Sequence, residues 1–147
     1  MYSQRILVLI PHPDDEAVGC AAAITRAREQ GTVIFGAYLT SGVPAPEALW
    51  PWQREGQPGR MIHRRHEAQR AADMLGIEIA SYQIIPTRTL KSALDGTHDL
   101  LTRLIEHHKP DMLWAPAYEG GHQDHDVANF LASTFRTNLP VWEFSEY

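Results

Sequence analysis

The sequence has one cysteine, Cys20, so it can form no internal disulfide and no multi-thiolate metal site. It has no excess of positive charge either. Thirteen Lys and Arg stand against eighteen Asp and Glu, a formal net charge of −5 that offers no electrostatic footprint for nucleic acid. No apolar run approaches the roughly 20 residues that a membrane-spanning helix requires. Repeats and low-complexity tracts are absent, and the first residues lack the charged-then-apolar pattern of a signal peptide. What remains is a 147-residue chain, 44% hydrophobic and 21% charged, of ordinary globular composition. It is expected to be cytoplasmic, with no membrane span and no nucleic-acid partner. Any metal it binds must be held by His, Asp or Glu.

The pattern that is present alternates between strand and helix. Residues 5–10 (RILVLI) form a continuous apolar run, as in a strand buried on both faces of a parallel sheet. A helical pattern follows over 14–30, stopped by Gly31, and residues 32–40 read as a second strand. Helices are expected over 60–75, 97–108 and 124–135, with strands at 81–85, 112–115 and 141–147. Residues 43–60 are rich in proline and glycine and read as a long loop; Trp50 and Trp52 argue that it is ordered and lid-like. Strands alternating with helices predict an α/β fold, a mostly parallel sheet with helices on both faces. Ligands of such sheets gather at the carboxyl ends of the strands.

Two clusters fall at that edge. After the first strand comes Pro11-His12-Pro13-Asp14-Asp15-Glu16, and after the strand at 112–115 comes Gly120-Gly121-His122-Gln123-Asp124-His125. His12 and Asp15 are spaced so that an imidazole and a carboxylate can converge on one cation, and His122 and His125 share a helix face. One nitrogen from the second pair would complete a His/Asp/His set, the three-ligand form of a catalytic zinc site; Fe2+ is also compatible with these donors. Asp14, beside a ligand but pointing elsewhere, is a candidate general base, and the histidine that does not bind metal could serve the oxyanion or the leaving amine. Asp124 could fix that histidine's tautomer. Acids in a helix's first turn also cap it, and Glu16 is read in that role. His63, His66, His107 and His108 are read as surface residues, and Cys20 as packed against the sheet.

These residues resemble the PIG-L/LmbE-like, zinc-dependent N-acetylglucosaminyl deacetylases. PHPDDE is similar to that family's motif after its first strand, His122–His125 to its HPDH segment, and Arg64-Arg65-His66-Glu67 to its arginine helix. The resemblance implies a Rossmann-like fold, zinc held by His12, Asp15 and His125, and Asp14 as general base. It further implies His122 at the oxyanion or as acid, oriented by Asp124, and Arg64 on the sugar. Gln123 stands where the family has proline, and Thr87 where many relatives carry an aspartate near the sugar. The family also continues well past a strand like 141–147, so residues 1–147 are read as one domain of this kind lacking a C-terminal part.

Two functions stay open on this reading. One is removal of an acetyl group from an N-acetylated amino-sugar conjugate by a water that Asp14 deprotonates. The other is a metal-binding interaction module derived from the same family. Hydrolysis of a phosphoester is disfavoured by the lack of a second carboxylate-rich metal site. A homo-oligomer is compatible with either function.

Overall fold

A computed structural model describes residues 3–146. Its centre is a five-stranded, wholly parallel sheet in the order β3-β2-β1-β4-β5. The strands are β1 (Arg5–Ile10), β2 (Val33–Tyr38), β3 (Ile77–Tyr82), β4 (Met112–Pro116) and β5 (Val141–Phe144). The helices are α1 (Asp15–Val18), α2 (Ala21–Glu29), α3 (Pro51–Arg54), α4 (Gln57–Leu75), α5 (Leu94–His108) and α6 (Gln123–Ser133). This is the expected α/β architecture. Among the described residues, no helix is long and apolar enough to cross a membrane.

The apolar run of β1 divides by parity, because successive side chains of a strand point to opposite faces. Leu7 and Leu9 join Phe35, Leu113, Leu101, Leu131 and Phe135 on the face covered by α5 and α6. Ile6, Val8 and Ile10 join Ile24, Ile34, Ala68, Ala72 and Trp114 on the face covered by α2 and α4. Cys20 lies in this second layer, where burial pushes its thiol up to about 12, an inert packing group.

The strand order sets the position of the site. β1 is flanked by β2, which follows it in sequence, and by β4, which enters from the other side. The chain leaves β1 and β4 in opposite directions, and a crevice opens between their carboxyl ends. His12 follows β1 and His122 follows β4, so the topology brings both clusters to that crevice.

Several local expectations are corrected. The helix read as 14–30 breaks at Gly19-Cys20, because the chain turns there beneath the end of β5. A Cβ on Gly19 would lie 2.6 Å from Cδ2 of Phe144. The long loop contains a 3-10 turn (Pro46–Ala48) and α3, and α4 starts three residues early, at Gln57. The strand read as 81–85 starts at Ile77, directly after the left-handed Gly76 that caps α4, and stops at Tyr82. β5 ends at Phe144, short of the expected 147. His108 is half-buried, its ring 4.4 Å from that of Phe35, so only His63, His66 and His107 of the four are exposed.

Candidate metal centre

The segment after β1 is shaped by close packing and strain. Gly42, with a positive φ, approaches Pro13 so closely that a Cβ there would meet the proline Cδ at 2.8 Å. Asp14 has φ 150°, a conformation that an L-residue adopts only under constraint. Its N–H is held 3.1 Å from Oε2 of Glu16. Glu16 is a first-turn acid of α1, as expected, but it is fully buried, and its carboxylate accepts the Asp14 N–H. Because the strain is local to the backbone, Asp14→Gly should be more stable than Asp14→Ala by about 1–3 kcal/mol. Urea denaturation of the two variants, both lacking the carboxylate, reads that difference; an alanine variant more stable than the glycine variant, the ordinary order at a relaxed backbone, would show that residue 14 is unstrained.

The turn brings three ligand atoms from two clusters together. Nε2 of His125 lies 3.2 Å from Nδ1 of His12 and 3.2 Å from Oδ2 of Asp15. Nδ1 of His12 is 3.5 Å from the same Asp15 oxygen. Ligands about 2.0–2.1 Å from a tetrahedral zinc are separated by about 3.3 Å. The triangle thus has the edge lengths of one face of a zinc coordination sphere, and its donor set of two imidazoles and a carboxylate fits that ion. His122 lies within the same group of ligand-capable residues, with its ring 4.5 Å from that of His12.

The far nitrogen of His12 is held by a buried carboxylate. Its Nε2 is 2.9 Å from Oδ2 of Asp124, which is fully buried and also accepts from the N–H of Arg88 (2.6 Å) and the hydroxyl of Thr87 (3.2 Å). The other oxygen accepts from the N–H of Leu90. The arrangement differs from one expectation. Asp124 backs His12 rather than orienting His122 with its carboxylate, which stays 4.0 Å from the His122 ring nitrogen. Thr87 also sits behind His12, with Oγ1 3.0 Å from Nε2. Gln123, in place of proline, ties the same loop down by donating to the carbonyl of Arg88.

His122 is instead positioned as the N-cap of α6. Its Nδ1 accepts the N–H of Asp124 at 3.1 Å, which leaves the ring proton on Nε2. Burial, and then the neighbouring His12, lower its pKa, so a neutral N–H donor is the favoured form. The guanidinium of Arg64 reaches the Asp14 carboxylate (3.3 Å), the carbonyl of Pro13 and Glu67. It is thus engaged with the turn after β1.

Charge in the cluster follows from proximity. Burial disfavours a cation on His12, but Asp124 and Asp15 outweigh it and push its pKa up to about 9. Burial alone would raise Asp15, yet His12 and His125 hold it well below the usual carboxylate range. Burial and the charge of Asp15 raise Asp14, against the pull of Arg64, which makes it a stronger base than an ordinary carboxylate. A metal must displace the proton of His12 at any pH below about 9. Asp15 outweighs burial and raises His125 as well, so apparent zinc affinity should rise at least tenfold per pH unit up to about 9 and then level off, as read by chelator competition. A pH-independent affinity would mean that His12 is not a ligand. By the same shift, His12 stabilises the metal-free fold below its ordinary 6.5, and that contribution is lost as pH rises through 9.

Sequence reasoning missed one residue of this cluster. Glu146, just past the carboxyl end of β5, is nearly buried, with Oε2 3.3 Å from Nδ1 of His125. Burial and the charge of Asp15 push its carboxyl up to about 7. The rule that placed the other clusters, to look beyond strand ends, applies to β5 as well. Reading the strand through to residue 147 concealed it.

Comparison with known proteins gives consistent likenesses. A family model described as PIG-L, GlcNAc-PI de-N-acetylase, matches residues 7–135. A diacetylchitobiose deacetylase from Thermococcus kodakarensis is 27% identical over 134 residues, covering 87% of this chain and 47% of that protein. The chain thus spans about half the length of that curated relative. A deacetylase of the teicoplanin biosynthesis pathway superposes with a TM-score of 0.80 at 19% identity, over 96% of this chain and 66% of that one. The N,N'-diacetylchitobiose deacetylase from Pyrococcus horikoshii superposes with a TM-score of 0.74 at 22% identity, over 97% and 60%. At these identities the superpositions establish the fold.

Proposed function

Since the chain belongs to the PIG-L family, we propose that it is a metal-dependent hydrolase that removes an acetyl group from an N-acetylated amino-sugar conjugate. The observation that carries this reading is the triangle of His12 Nδ1, Asp15 Oδ2 and His125 Nε2, with sides of 3.2–3.5 Å, beside a strained carboxylate that is not part of it. The relatives named above as deacetylases support the substrate class. A bound zinc supplies Lewis acidity toward a carbonyl and a water whose pKa falls to about 7.

The remaining steps fall to the chain's own groups. Asp14 takes a proton as the water oxygen bonds to the acetyl carbon. The Nε2–H of His122 donates to the oxygen that becomes negative in the tetrahedral intermediate, a charge strengthened in its effect by the half-buried setting. The C–N bond then breaks, and Asp14 returns its proton to the departing nitrogen. Acetate and a free amine result. Arg64, 3.3 Å from Asp14, keeps the base aimed and ionised between turnovers.

The test is release of acetate by the zinc-loaded chain from N,N'-diacetylchitobiose and from N-acetylglucosamine conjugates with lipid and peptide aglycones. Turnover on at least one, abolished by chelation and restored by zinc, is expected. Stoichiometric zinc with no turnover on the whole panel would overturn the hydrolytic reading in favour of a metal-binding module.

A further inference from the structure

The two histidines of the metal triangle are treated alike on their far sides. His12 offers Nδ1 to the centre while its Nε2 faces the buried carboxylate of Asp124. His125 offers Nε2 to the centre while its Nδ1 faces the carboxylate of Glu146, 3.3 Å away. A carboxylate behind a ligating imidazole fixes its tautomer and raises its basicity toward the metal. Nothing in the local sequence around His125 supplies that partner. It comes from the end of β5, and the Glu146 side chain is only 5% exposed.

A buried carboxylate is costly to keep unless it has a task. One oxygen of Glu146, Oε1, has no hydrogen-bond partner among the described residues, and it lies against the backbone of Gly19. A Cβ built on Gly19 would stand 2.8 Å from that oxygen and 2.6–2.7 Å from the ring of Phe144. Gly19 itself has φ −85°, a conformation open to any residue, so the glycine is required by space and not by backbone geometry. The break between α1 and α2 is therefore an opening through which the end of β5 reaches the back of the metal site.

We propose that Glu146 is a positioning residue of the metal centre, holding the proton of His125 on Nδ1 so that Nε2 faces the metal, and that Gly19 provides the opening that admits it. The proposal rests on the reading of His125 as a metal ligand. It adds a residue from a fourth segment of the chain, and it makes a helix break part of the site.

The test is zinc affinity of the full chain by competition with a chromophoric chelator, alongside thermal unfolding of the metal-free protein. Glu146→Ala should weaken zinc binding about 10–100-fold. Glu146→Gln, which keeps an acceptor oxygen, should recover part of that loss. Gly19→Ala should weaken binding in the same direction, and in the Glu146→Ala background it should add little to the loss in affinity. In imidazole 15N NMR of the zinc-loaded wild type, His125 should carry its proton on Nδ1 in slow exchange with water. That slow exchange should be lost in Glu146→Ala. Equal affinity and an unchanged imidazole proton in Glu146→Ala would overturn the proposal while leaving the metal site standing. A wild-type chain that binds no zinc would overturn the metal site as well. Melting temperatures separate the two roles: a merely structural Glu146 would lower the metal-free melting point and leave the affinity of the folded chain unchanged.

Discussion

Asp14→Asn is expected to bind zinc as tightly as the parent chain and to lose a factor of about 10²–10⁴ in kcat. The argument is geometric. The Asp14 carboxylate lies outside the ligand triangle, half-exposed at the rim and paired with Arg64. Asparagine fills the same volume and can still accept from Arg64, so the strained turn and the ligands on either side of it are preserved. What the amide cannot do is take a proton from water. Its effect is thereby confined to chemistry, and KM should move far less than kcat. Activity and zinc are both to be measured on one preparation. Unchanged turnover would remove Asp14 from the reaction. Parallel loss of zinc would mean that Asp14 assembles the site instead of acting in it.

Asp124→Ala should destabilise the fold as much as truncating a large core side chain. Its carboxylate is fully buried and receives His12, the hydroxyl of Thr87 and the N–H groups of Arg88 and Leu90. Burial would raise its pKa, but His12 and the two backbone donors outweigh that and hold it low, so it stays ionised at neutral pH. Alanine would leave several buried donors without an acceptor and His12 without its counter-charge. Breaking one partner of such a buried network costs about 3–5 kcal/mol, against total stabilities of about 5–15 kcal/mol for domains of this kind. Urea denaturation of the metal-free variant should show that loss, and zinc affinity should fall with it. A cost under about 1 kcal/mol, an ordinary surface effect, would mean that water replaces the carboxylate and that the network is not structural.

The sequence made the frame of the site legible for a physical reason. Leu7 and Leu9 against Ile6, Val8 and Ile10 can satisfy two buried faces only in a parallel sheet flanked by helices, and ligand residues then collect at strand ends. That ground points to His12, Asp15 and one histidine of the His122/His125 pair, the resemblance selects His125, and these three side chains converge. Proximity in sequence pairs Asp124 with His122, and its backbone N–H does meet that ring. The β1/β4 crevice instead places its carboxylate against His12, 112 positions away. Glu16 stands in the first turn of α1, as expected, but its burial and its hold on the Asp14 N–H are not legible from that position. Glu146 also lies just past a strand end, but the pattern of residues 141–147 does not show that β5 stops at Phe144. Its partner His125 stands on the helix that follows the neighbouring strand β4, and no local periodicity reports a contact between the end of one strand and the helix after another.

The most direct test is a crystal of the zinc-loaded chain with anomalous scattering measured on both sides of the zinc edge. One peak is expected, about 2.0–2.2 Å from His12 Nδ1, Asp15 Oδ2 and His125 Nε2, with its fourth position open toward Asp14 and His122. A peak at any other set of side chains, or zinc bound in solution with no peak at this triangle, would contradict the account.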